Sequence, residues 1–176
     1  MVGSTISTSR RASLYTSEQR RRRDATPWTA VQGLLAILQF VVFLVSLALV
    51  LRYLLTGSGL FEATVSVVVK TVALYTIMVT GSIWEKVVFG RYLFAPAFYW
   101  EDMVSMLVLA LHTAYLGVLA FGWMSDREQM LLALAAYTAY AINAAQFVFK
   151  LRRARLEAPD ASHQDLVEYG SWRIAP

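Results

Sequence analysis

The chain contains no cysteine, which excludes disulfides, thiolate metal sites and redox thiols together. It has only two histidines, His112 and His163. A pair of membrane-embedded axial ligands for a b-type haem is therefore absent, and so are paired metal-ligand motifs. No glycine-rich dinucleotide motif occurs either. Charge is scarce: 16% of the 176 residues are Asp, Glu, Lys or Arg, against roughly a quarter in soluble domains.

What is present is apolar. Hydrophobic residues make up 57% of the chain, and the mean hydropathy is +0.50. That leaves too little polar surface to cover a globule in water, so a single-domain membrane protein is expected. The predicted fold is all-α, a polytopic antiparallel bundle of four transmembrane helices. The spans fall at about 33–55, 63–85, 102–124 and 129–150, inside a membrane domain of residues 28–156. Residues 1–27 read as a basic, disordered arm with Arg20–Arg23 at its centre. Residues 157–176 read as a polar, partly ordered tail. The first apolar run is too long and starts too late for a signal peptide.

Cations set the predicted topology. The arm, the central loop with Lys86 and Arg91, and the start of the tail hold most of them. The positive-inside rule then places both termini and the central loop in the cytoplasm. A basic run beside an apolar span favours anionic lipid, and nucleic acid is not expected as a partner.

The densest chemistry lies between the second and third spans, in IWEKVVFGRYLFAPAFYWED, residues 83–102. It holds the carboxylates Glu85, Glu101 and Asp102, the cations Lys86 and Arg91, and seven aromatics. The aromatics Trp84, Tyr99 and Trp100 are either interfacial anchors or a surface for a flat ligand. The carboxylates either mark the span ends or, once desolvated, supply a general acid.

Each span also carries a polar stripe at helical spacing, which in lipid turns inward. The stripes contain Gln39 in the first span, His112 in the third, and Asn143 and Gln146 in the fourth. Such amides either hold helices together or serve a site. Lys70 lies well inside the second span, where it snorkels outward or needs a buried partner. His112 near mid-membrane is structural, a metal ligand (a pigment's magnesium included) or a proton relay. Glu101 and His112 share a face but stand eleven residues apart, roughly 16 Å along a helix.

Three strings carry a resemblance: LYTSEQRRRRDATPWTAVQG, IMVTGSIWEKVVFGRYLFAPAFYWEDMVSMLVLALHTAYL and LLALAAYTAYAINAAQFVFKLRRARLEAP. Across residues 14–159 the chain resembles the 3-vinyl bacteriochlorophyllide hydratases of bacteriochlorophyll a synthesis. The resemblance implies water addition to the 3-vinyl group of chlorophyllide a or 3-vinyl bacteriochlorophyllide a. The product carries a 3-(1-hydroxyethyl) group, which a separate dehydrogenase oxidises. No cofactor is implied, since the magnesium belongs to the substrate. The expected partners are the pigment, the lipid bilayer and other bacteriochlorophyll-synthesis enzymes. The expected location is the bacterial inner (intracytoplasmic) membrane, as a multi-pass protein.

With that substrate, Glu85 or Glu101 becomes the expected acid, with Asp102 or the other glutamate as base. His112 is the expected magnesium ligand or proton relay. Lys86 and Arg91 are expected to hold the propionate, with Trp84, Tyr99 and Trp100 against the ring edge. Gln39, Asn143 and Gln146 are expected to position water, and Lys70 to contact substrate. The alternative reading is a membrane protein that binds pigment, or assists photosystem assembly, without chemistry.

Overall fold

In the computed structural model the described residues are 14–171, with side chains described for 14–152. Expectations on residues 1–13, on His163 and on the side chains of the tail lie outside them. Five helices follow one another: α1 Ser17–Ala25, α2 Trp28–Thr56, α3 Leu60–Phe89, α4 Tyr99–Phe121 and α5 Asp126–Ser171. Four stretches are long and apolar enough to cross a membrane: Trp28–Thr56, Leu60–Phe89, Tyr99–Phe121 and Asp126–Arg152. The first, second and fourth enclose the predicted spans, while the third starts at Tyr99 and ends at Phe121, three residues short of the predicted end.

The arm differs from expectation. It is predicted to be disordered through residue 27, yet Ser17–Ala25 is a helix. The reason is local and readable. Thr16 and Gln19 form a capping box, with Gln19 N–H donating to Thr16 Oγ1 (3.2 Å) and Thr16 N–H to Gln19 Oε1 (2.9 Å). Glu18 pairs with Arg22 one turn on (3.1 Å). Tyr15, just before the cap, is buried against Phe89 and Phe98. The tail also differs, because the backbone of α5 stays helical as far as Ser171.

Helix ends follow from glycine. Gly57 and Gly59 both take positive φ (71° and 88°), so three residues suffice to turn α2 into α3. The pairs then segregate: α2 packs chiefly on α3, and α4 chiefly on α5. The two pairs meet along a seam and are joined by the loop 90–98.

Burial is inverted relative to a soluble bundle. Leu34, Ile37 and Val41 face outward from α2, while Gln39, Phe43, Ser46 and Val50 face in. The buried face of α4 is Glu101, Asp102, Ser105, Val108, His112, Tyr115 and Val118, which includes the whole of the predicted stripe. Lipid is as apolar as leucine, so what drives a side chain inward here is polarity.

Candidate active site

At one end of the bundle the C-terminal turns of α3 meet the loop 90–98, the first turns of α4 and the Lys150 region of α5. Two buried carboxyls lie at the centre of this mouth. Glu85 Oε2 accepts from Ala95 N–H (3.3 Å), and Asp102 Oδ2 accepts from Phe94 N–H (2.7 Å). The two N–H groups come from adjacent residues, so they hold the two carboxyls side by side. Two buried carboxyls so placed suit a pair that shares one proton.

The loop is bent to make those contacts. Phe94 takes φ +58°, and it is the one positive-φ residue other than glycine among the described residues. A bulky side chain is strained in that region. The bend aims the Phe94 and Ala95 N–H groups at the pair.

Glu101 has a different role from its neighbour. Its Oε2 lies 2.6 Å from Lys150 Nζ, across from α4 to α5. As the anionic member of an ion pair, it is placed to hold charge, and Glu85 and Asp102 are better placed to deliver a proton. Lys150 also lies over the Phe98 ring (5.0 Å). Phe98 in turn packs on Trp84, Phe89 and Phe147. An aromatic floor thus lies beside the carboxyls, and Tyr15 closes its outer edge. Burial pushes the Tyr15 phenol above its ordinary value, against the pull of the Arg23 guanidinium beside it.

The remaining predicted residues divide between two places. Lys86 is exposed, donates to Gly90 C=O (3.1 Å) and lies over Tyr92 (5.2 Å). Arg91, Tyr99 and Trp100 are also exposed. Trp84 is half-buried, and its indole N–H donates to Thr29 Oγ1 (3.0 Å), tying α3 to the start of α2. Gln39, Lys70, His112 and Asn143 are buried deeper, along the seam.

The seam contains polar atoms without partners. His112 donates from Nδ1 to Val108 C=O (2.8 Å). A carbonyl only accepts, so Nδ1 carries the proton and Nε2 keeps its lone pair. That lone pair is buried without a hydrogen-bond partner, as are Lys70 Nζ, Gln39 Oε1, Asn143 Oδ1 and Gln146 Oε1. The Lys70 ammonium lies over the Tyr140 ring at 3.7 Å. Asn143 uses its Nδ2 to donate to Ser105 Oγ (2.7 Å), which leaves the amide oxygen to face the seam.

The sequence profile of the 2-vinyl bacteriochlorophyllide hydratases matches residues 15–153. The chain belongs to this family. It is similar to the 2-vinyl bacteriochlorophyllide hydratase of Rhodobacter capsulatus, with 62% identity over 157 residues, 89% of this chain and 91% of that one. It is similar also to that of Cereibacter sphaeroides, with 65% identity over 144 residues, 82% of this chain and 89% of the relative. No solved structure matches the chain.

In this member of the hydratase family, sequence reasoning missed several groups. Lys150 was visible as a cation at the end of the fourth span, opposite Glu101 at the start of the third, and that opposition was its signal. Ser105 and Tyr140 lie on the polar stripes. The link Ser66–Ser46–Tyr137, at 2.6 and 2.5 Å, needs three helices and had no signal in the sequence.

Proposed function

We propose that the chain adds water to the vinyl group of a magnesium bacteriochlorophyllide or chlorophyllide, giving the 1-hydroxyethyl product. The 2-vinyl group of the family's name and the 3-vinyl group of the sequence reading are one substituent in two ring numberings. Family membership supports the reaction, and the buried Glu85–Asp102 pair is the single observation that supports the chemistry. It is a protein-bound acid that needs no cofactor.

The shared proton passes to the terminal vinyl carbon, and a cation forms at the carbon attached to the ring, spread over the conjugated macrocycle. The carboxylate left behind stabilises that charge from a site that excludes bulk water. Water adds at the ring-attached carbon, and its proton returns to the pair, restoring the acid. The free amide oxygens of Asn143 and Gln146 orient the water, with Gln39 further in. The His112 Nε2 lone pair, without a partner on the seam, is the group there suited to the substrate's magnesium.

The bundle is antiparallel, with both termini and the mouth on the cytoplasmic side of a bacterial inner membrane. The pairings of Gln32 with Thr80 and of Ser46 with Ser66 support the first point. The cations of α1, the central loop and the Lys150 region support the second. The experiment is a membrane incubation with chlorophyllide a, read by mass for one added water and by a blue shift of the red band. Bound but unchanged pigment would favour a carrier and sink the hydratase reading.

A further inference from the structure

Lys70 is fully buried in α3, and its Nζ meets no hydrogen-bond acceptor. Its close neighbour is the face of Tyr140, at 3.7 Å. An ammonium has three N–H donors, and a ring face uses at most one direction. Glu85, the buried carboxyl on the same helix, is fifteen residues away, about 22 Å along the axis. Among the described residues no ion pair reaches Lys70. His112 lies within electrostatic reach, Gln39 faces the same seam, and Thr71 donates to its own helix at Val67 C=O (2.8 Å). A buried cation so placed destabilises the fold, and such intramembrane charges are retained where they act on something.

Two unpartnered groups of opposite kind therefore share the seam. His112 offers an electron pair and Lys70 offers N–H donors. A ligand that satisfies both has a metal at its centre and an acceptor oxygen on its rim. The interface between the two pairs is slimmer than the interface within either pair, and a flat body entering it would displace the Ser46–Tyr137 link.

We propose that the macrocycle is received in this seam, edge-on between the hairpins, and that Lys70 hydrogen-bonds an oxygen on the rim edge that points away from the mouth. This rests on the hydratase reading for the kind of ligand. Of the acceptor oxygens on a chlorophyllide's rim, the free carboxylate and the ring ketone are the stronger ones, beside one methyl ester. The shared chemistry is an acceptor oxygen, and the experiment separates the two. Lys70 orients the ring so that the vinyl edge meets the Glu85–Asp102 pair; it takes no part in the proton transfer.

The test is absorbance titration of the detergent-solubilised full chain with three pigments: magnesium chlorophyllide a, its methyl ester, and its analogue lacking the ring ketone. Lys70→Met is expected to raise the Kd for the intact pigment about tenfold. Wild type is expected to show the same loss with one of the two altered pigments, on which Lys70→Met then has no further effect; that pigment names the oxygen. Without pigment, Lys70→Met is expected to melt higher than wild type, since an unpaired buried charge is gone. A purely structural lysine would give the opposite sign. Lys70→Gln repeats the titration if Lys70→Met fails to fold.

Equal Kd values for wild type and variant, equal losses on all three pigments, or a lower melting point without pigment would each overturn the proposal. Binding is read without turnover. Wild type that binds selectively but does not hydrate would sink the hydratase reading and leave Lys70 standing.

Discussion

The mouth and the seam treat buried polarity in opposite ways. At the mouth, Glu85, Asp102, Glu101 and Lys150 are all engaged, by each other or by the N–H groups of Phe94 and Ala95. Along the seam, Lys70, His112, Gln39, Asn143 and Gln146 each keep a buried atom without a partner. Satisfied networks are rigid, and unsatisfied ones are costly until something completes them. The difference separates two tasks. In the proposed reaction the mouth holds and moves the proton, and the seam, with its unpartnered groups, receives the ligand.

That contrast can be broken most strongly at the pair. Glu85→Gln and Asp102→Asn are each expected to cut kcat by about 10²–10⁴-fold, the range of general acid catalysis. Pigment affinity should stay nearly unchanged. Glu101→Gln should cost far less in rate; single-turnover hydration rates that put it level with Glu85→Gln would erase the distinction drawn between the neighbours.

Stability is the next lever. Breaking the Glu101–Lys150 pair with Lys150→Met leaves a buried carboxylate alone, at a cost of about 2 kcal/mol. Melting curves should show that loss, and the double variant Glu101→Gln/Lys150→Met should recover part of it. A double variant no better than the single would show that the pair contributes nothing specific.

Within the seam, His112→Ala is expected to weaken the magnesium pigment about tenfold, near 1.4 kcal/mol, while the metal-free pigment binds as it does to wild type. Parallel losses on both would return His112 to packing. The smallest effects belong to the exposed cations. Lys86→Ala and Arg91→Ala should each raise KM about two- to threefold, in keeping with about 0.5 kcal/mol for an exposed charge contact. Where Lys70 takes the ketone and the carboxylate lies at the mouth, the increase should vanish for the esterified pigment; steady-state kinetics on both pigments check it.

Much of this was legible in advance. Scarce charge and long apolar runs require membrane-crossing helices, because a bilayer satisfies no free backbone group. Polar stripes at a spacing of three and four named the inward faces, and Ser105, Val108, His112 and Tyr115 fall on one buried face. The arm was read as disordered for its scarce apolar surface, and the capping box of Thr16 and Gln19, though spelled in the sequence, was not used. Tyr15, buried under α1, shows what that reading missed: an arm next to an aromatic surface has something to pack against.

Other features were out of reach. Glu85, Glu101 and Asp102 look alike in sequence, as three acids at helix ends. Only the packing of α5 against α4 gives Glu101 a lysine, and only the strained turn at Phe94 turns two N–H groups onto the other two. Composition and periodicity determined the medium, the number of membrane-spanning helices and which side chains face inward, since these depend on each residue's own transfer energy. The tertiary structure decided which acid is paired with a cation, which two are turned onto the loop's N–H groups and which buried groups are left without a partner. Those properties depend on distances between residues far apart in the chain, and no local pattern encodes them.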